Sequence, residues 1–127
     1  MRRRPGTLVP LERSILEAAM SLRSMGVAEP HGFLLARTIG DVTGQRQLTA
    51  YGTLYKALDR LERAGLLESH WEDPNFAATE SRPRRRLYRV TTPGEAALAD
   101  ARRSDAEAAE HAAGGAPAPR PARSEAR

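Results

Sequence analysis

Residues 49–67 read TAYGTLYKALDRLERAGLL, and residues 82–94 read RPRRRLYRVTTPG. In the first stretch Tyr51, Leu54, Tyr55, Leu58 and Leu61 recur at spacings of three and four, which gathers them on one face of a helix. Thr49 suits the N-cap, where a hydroxyl accepts from an unpaired first-turn amide. Gly65 suits the position just past the helix end, with Leu66 supplying the apolar contact that accompanies such a cap. The opposite face carries Gly52, Lys56, Arg60 and Arg63. In the second stretch, Arg85–Val90 reads as a strand with Tyr88 and Val90 on one side. Thr92-Pro93-Gly94-Glu95 then opens a helix, with threonine as cap, proline first and glutamate third.

Working outward, Leu11, Ile15, Leu16, Ala19 and Leu22 share a face of a first helix that starts at Thr7 or Pro10 and stops at Gly26. After Pro30 and Gly32, residues Phe33–Ile39 predict a short second helix with Phe33, Leu35 or Ala36, and Ile39 inward, stopped by Gly40. The polar run 41–47 contains Gly44 and reads as a turn. Leu66–Trp71 predicts a strand, and Asp73-Pro74-Asn75 a turn inside a mobile loop of about ten residues. The last helix runs to Ala113 and is closed by Gly114 and Gly115. Three helices, a two-stranded hairpin and a final helix define a mainly α fold with a small β-hairpin (α+β): a winged helix-turn-helix plus a C-terminal helix. The chain divides into a flexible basic arm (1–6), the winged-helix domain (7–92), a C-terminal helix that is a candidate dimerisation element (93–113) and a disordered tail (114–127).

Composition narrows the function. The 127 residues suit one domain with an extension. The absence of cysteine excludes disulfides, thiolate metal sites and cysteine nucleophiles. The first ten residues lack the apolar core of a secretion signal, and no apolar run reaches membrane-span length, so a soluble cytoplasmic protein is expected. The net charge is +4, and Lys56 is the only lysine. Arginine donates two parallel hydrogen bonds to phosphate, but coding bias also favours it, so the placement of the arginines says more than their number.

The placement points to nucleic acid. The second helix of a helix-turn-helix enters the major groove, and its N-terminal residues reach base edges. Here these are Thr49, Ala50, Gly52, Thr53 and Lys56, with Tyr51 able to reach phosphate through its hydroxyl. Gly52 lets the backbone approach closely, while Arg60 and Arg63 suit the phosphate backbone. The hairpin carries Arg82, Arg84, Arg85, Arg86 and Arg89 with no intervening acid. Such like charges repel, and phosphates relieve this while releasing counterions. Partial pairing with Glu68, Glu72, Asp73 and Glu80 is the plain alternative. The candidate DNA contacts are therefore Thr49, Tyr51, Gly52, Thr53, Lys56, Arg60, Arg84, Arg85 and Arg86, whereas Tyr55 is expected in the core and Trp71 in the core or as a cover over the third helix.

Other chemistries find little support. His31, His70 and His111 are far apart in sequence, so neither a metal site nor a cofactor is expected. No nucleophile–base signature or phosphate loop is present, so an enzyme is not expected. RNA-reading modules display stacking aromatics, and only 5% of these residues are aromatic. A protein-interaction module without specific DNA binding is the alternative, but it has no use for five wing arginines.

These runs resemble the PadR family of transcriptional regulators. The resemblance rests on Tyr51-Gly52-Thr53-Leu54-Tyr55, Leu58-Asp59-Arg60-Leu61-Glu62, Gly65-Leu66-Leu67, and Arg82 through Thr91 followed by Gly94. Leu11 to Leu16 and His31-Gly32-Phe33 also fit, so it covers about residues 7–100. It implies a dimeric winged-helix repressor of an inverted repeat in double-stranded DNA, often responsive to a small molecule, with the surroundings of Gly52, Thr53 and Tyr55 and the arginine wing facing DNA. Two features depart from it. Lys56 stands where proline is common in the family. Leu98 is the last large apolar residue of a helix that serves the family for dimerisation, so a weak homodimer is expected. No effector can be named.

Overall fold

The computed structural model describes residues 7–43 and 51–115. The N-terminal arm, the turn from Gly44, the Thr49 cap and the tail from residue 116 lie outside them. The described elements are α1 (Pro10–Ser24), α2 (Gly32–Thr43), α3 (Tyr51–Arg63), β1 (Leu67–Trp71), α4 (Pro74–Thr79), β2 (Arg86–Val90) and α5 (Thr92–Gly115).

Both glycine stops read from the sequence at the ends of α1 and α3 have the same physical basis. Gly26 (φ 96°) and Gly65 (φ 80°) take the left-handed conformation that L side chains avoid. Amides after each helix fold back onto its last turn: Gly26 and Val27 donate to Arg23 and Leu22, Gly65 and Leu66 to Glu62 and Leu61. Gly40 does not stop α2, which continues to Thr43. Glycine costs a helix only about 1 kcal/mol, and the buried Ile39 beside it anchors that turn.

The core gathers Ile15, Leu16 and Leu22 of α1, Leu35 and Ile39 of α2, Leu54, Leu58 and Leu61 of α3, Leu67, Tyr88 and Val90 of the hairpin, and Leu98 of α5. Two expected core aromatics lie elsewhere. Phe33 is half exposed, since it sits about 200° round the helix from Leu35 at 3.6 residues per turn. Tyr55 is 45% exposed. It lies about 100° from Leu54, at the edge of the stripe, where its hydroxyl end packs over Gly32.

One carboxylate is buried in this core. Glu12 is 2% exposed; its Oε1 accepts from the Val9 amide at 3.1 Å and its Oε2 from Arg60 Nε at 2.8 Å. The pair ties the start of α1 to the last turns of α3.

Strands β1 and β2 pair antiparallel from Leu67↔Val90 to Trp71↔Arg86. A minimal third strand, which the sequence showed only as Pro30 punctuation, flanks β2: the Tyr88 amide donates to the Pro30 carbonyl at 2.9 Å, and His31 bridges Leu87. Between the strands the sequence predicts a turn, but Asp73-Pro74-Asn75 begins α4. Asp73 accepts from the Asn75 amide at 2.8 Å and Pro74 takes the first turn, so the same residues serve a helix start as well as a turn. Helix α4 ends at Thr79, and Ser81, just past the Glu80 cap, has a φ of 56°, the left-handed value usually given to glycine. That reversal returns the chain so that Arg82 grips Glu72 through two bonds, Nη1–Oε1 at 2.6 Å and Nη2–Oε2 at 2.9 Å. Arg82 Nε also binds Glu80 at 2.8 Å. The Arg82 guanidinium, with the Arg85 amide, holds the Glu72 carboxyl down at about 2, and the same clamp pushes Arg82 further up.

Thr91, not Thr92, caps α5. Its Oγ1 accepts from the Gly94 amide at 3.0 Å and donates to the Gly65 carbonyl at 2.6 Å, while its amide donates to Leu66 at 3.1 Å. The proline therefore falls second and Glu95 is free to pair with Arg23 at 2.8 Å. Arg13–Asp105 and Arg102–Glu17 continue this ionic seam between α1 and α5.

Gly94 is buried, and a Cβ there would overlap the Leu66 carbonyl oxygen. Gly94→Ala is expected to lower stability by about 1–3 kcal/mol, the usual cost of overpacking, as a depressed melting temperature; an unchanged one would contradict the tight junction. The wing clamp carries a pH signature. A carboxyl lowered in the folded state stabilises above its ordinary value of 4.5, and that contribution disappears as pH falls toward about 2. Melting curves of the wild type and Glu72→Gln are therefore expected to differ by a constant amount above about pH 4.5 and to converge as the pH falls toward about 2. A gap that stays constant on acidification would contradict the clamp.

Candidate nucleic-acid interface

Helix α3 packs with Leu54, Ala57, Leu58 and Leu61 inward, which turns Gly52, Thr53, Lys56 and Arg60 outward as exposed positions. A Cβ built at Gly52 would meet nothing within 4 Å. Nothing inside the protein thus requires glycine there, although glycine weakens a helix. Thr53 and Lys56 are exposed, and Lys56 faces no carboxylate among the described residues. Arg60 is the exception on this face, since its Nε is committed to Glu12. Arg63 pairs with Asp59 at 2.9 Å. Thr49 and Ala50 lie outside the described residues, and Tyr51 enters only as the first residue of α3.

The wing sorts its five arginines by partner. Arg82 is consumed by Glu72 and Glu80. Arg89 pairs with Glu68, which raises its already high pKa. Arg86 donates to Ser69 Oγ at 3.0 Å and lies 3.7 Å from Glu62 of α3. Asp73 joins none of these pairs because it caps α4. Among the described residues Arg84 and Arg85 meet no carboxylate at ion-pair distance. The cancellation weighed from sequence is thus real, and it is confined to Arg82 and Arg89 with a partial share for Arg86.

Trp71 is a third aromatic that lies off the core. It is 53% exposed rather than core, with the guanidinium carbons of Arg84 and Arg86 at 5.5 and 5.2 Å from its ring centroid. Leu67, Ser69 and Trp71 share one side of β1, but that side leaves the core before the strand ends. A tryptophan at a strand end opposite an arginine was the available signal.

Ionisable neighbours register this positive field. Burial and then the charges of Arg85 and Arg82 lower the His31 pKa. His70 is raised by the Glu29 carboxylate, 3.0 Å from its Nε2. Burial raises the Tyr88 phenol. A cleft of about 540 Å³ between the wing and the entry to α2 is walled by His31, Phe76, Leu87, Glu72, Arg82 and Arg85, among other residues. Among the described residues no three His, Asp or Glu side chains gather as a metal site, and no helix is long and apolar enough to cross a membrane.

Comparison with known proteins agrees with this architecture. The chain is similar in fold to a transcriptional regulator from Clostridium thermocellum, with a TM-score of 0.60 at 20% identity over 83% of this chain and 87% of the other. It is similar to a PadR-like transcriptional regulator from Bacillus cereus, with a TM-score of 0.60 at 19% identity over 82% and 88% of the two chains. A third likeness is to PadR of Bacillus subtilis, solved in complex with operator DNA, with a TM-score of 0.53 at 20% identity over 71% of this chain and 46% of that one. No curated protein matches by sequence. The model of the transcriptional regulator PadR-like family matches residues 22–100, well over half of the chain. The chain therefore belongs to the PadR-like family of transcriptional regulators.

Proposed function

We propose that this protein binds double-stranded DNA and represses transcription from a promoter carrying an inverted repeat. In this reading α3 enters the major groove. Thr49, Gly52, Thr53 and Lys56 face base edges, and Tyr51 and Arg60 meet flanking phosphates. Arg84, Arg85 and Arg86 of the wing neutralise the DNA backbone. The observation that carries the reading is the charge left over on the wing: five nearby carboxylates are spent on Arg82, Arg89, Arg86 and a helix cap, and among the described residues Arg84 and Arg85 meet no carboxylate. A solved family relative, PadR of Bacillus subtilis, holds operator DNA, which supports the same use of the fold here.

An inverted repeat requires two copies. Helix α5 is the candidate dimer element, but beyond Leu98 its described side chains are small or charged, and its first turns are already held to α1. Alanine buries little apolar area at about 25 cal/mol per Å², so the proposed dimer is weak in solution and completed on DNA. The protein acts as a cytoplasmic binding protein rather than an enzyme, and whether it answers to an effector is left to experiment.

Fluorescence anisotropy with the protein's own upstream promoter duplex and a scrambled duplex tests the proposal. Tight binding to the promoter alone, lost on replacing Arg84, Arg85 and Arg86 by alanine, is expected. Equal binding to both duplexes would reduce the protein to a nonspecific polycation, and no binding at low salt would favour a protein-interaction module. Gly52→Ala separates folding from recognition. It is expected to stabilise the free protein by about 0.5–1 kcal/mol yet weaken promoter binding about ten-fold, or 1.4 kcal/mol. Unchanged affinity would remove α3's N-terminal half from the interface.

A further inference from the structure

Trp71 stands at the loop end of the hairpin, in register with Arg86. Half of its surface is exposed, and two guanidinium groups lie over its ring. The wing thus holds its arginines by two different means. Carboxylates fix Arg82 and Arg89 and cancel their charge. The indole fixes Arg84 by cation–π attraction, which leaves the charge in place. Arg86 has the same ring on one side and the Ser69 hydroxyl on the other.

We propose that Trp71 is a positioning residue for DNA binding: its ring holds Arg84 beside Arg86 as a preset cationic pair, and its exposed edge packs on a deoxyribose as the two guanidiniums meet the flanking phosphates. The inference rests on the DNA-binding reading above. Two neighbouring guanidiniums repel in the free protein, and the electron-rich ring face offsets that repulsion. Ordering an arginine on binding costs side-chain entropy, and the ring meets part of that cost beforehand. An indole also suits the contact it would make, since its apolar body fits a sugar and its N–H can donate to a phosphate oxygen.

Trp71 is the chain's one tryptophan, so emission from the full-length protein reports on this ring alone. Acrylamide quenching is measured with and without saturating promoter duplex, and occupancy is checked by anisotropy. Bound DNA is expected to shield the ring. Trp71→Leu is expected to weaken binding about three- to ten-fold, the equivalent of one exposed cation–π contact, whereas Trp71→Phe, which keeps a ring, loses less. In an Arg84→Ala background Trp71→Leu is expected to add a smaller loss, that of the sugar contact and the hold on Arg86, a coupling that a purely structural role would not produce. Melting curves of each variant confirm folding. An indole equally quenched on saturated DNA, or equal losses from Trp71→Leu with and without Arg84, would overturn the inference while leaving DNA binding intact. A wild-type protein that binds no duplex would overturn the underlying reading as well.

Discussion

The placement of the whole interface depends on one junction, where Thr91 meets the end of α3. A single hydroxyl donates to Gly65 and accepts from Gly94, and the Thr91 amide donates to Leu66. Three chain segments are joined there: the exit of α3, the end of the wing and the start of α5. The left-handed Gly65 turns the chain out of α3, and the missing side chain of Gly94 lets α5 begin against the Leu66 carbonyl. With α3 and β1 separated by only three residues, the wing has little freedom to swing relative to the helix. The apolar cluster supplies the bulk of the stability, but this junction sets the angles. The buried Glu12 carboxylate and the exposed Arg60 hold α3 to α1 from the other side. The pair serves placement more than net stability, because desolvation of the carboxylate offsets much of its attraction.

On that frame the wing distributes charge. Five arginines crowded on one hairpin would repel without partners, and the structure resolves the conflict locally. Helix α4 is central to this, because its Asp73 cap and the left-handed Ser81 return the chain so that Arg82 meets both Glu72 and Glu80. The most strongly paired arginine thereby becomes the clasp of the wing. Of the next three arginines, Arg84 and Arg86 lie over Trp71, and among the described residues Arg85 meets no carboxylate at ion-pair distance. Positive charge is concentrated by removing its competitors rather than by adding residues, which also explains why the formal net charge of +4 understates the local field.

The sequence revealed the helices and the hairpin well, because their signals are local. Spacings of three and four, the Gly26 and Gly65 stops and the alternation of Tyr88 with Val90 depend only on nearby residues. What it concealed depends on partners distant in the chain or on the edges of patterns. Tyr55 and Phe33 sit where an apolar stripe ends, and periodicity alone does not say how wide the covered face is. The Asp-Pro-Asn run fits a turn or a helix start equally well, and the return of Arg82 to Glu72 decides between them. Arg60 looked like any outward arginine until α1 brought Glu12 beneath it. The sequence marks all five wing arginines alike, and only the pairing in the fold separates Arg84 and Arg85 from Arg82 and Arg89, with Arg86 between them.

The central claim is that position and pairing, rather than total charge, decide which wing arginines work on DNA. The most direct measurement is the slope of log affinity against log salt for the promoter duplex, with Arg84→Ala/Arg85→Ala compared with Arg89→Ala. The account predicts that the double variant reduces the slope by about two, one per lost phosphate contact. Arg89, already matched by Glu68, should change it by clearly less than one. Slopes that fall in simple proportion to the number of arginines removed would contradict the account.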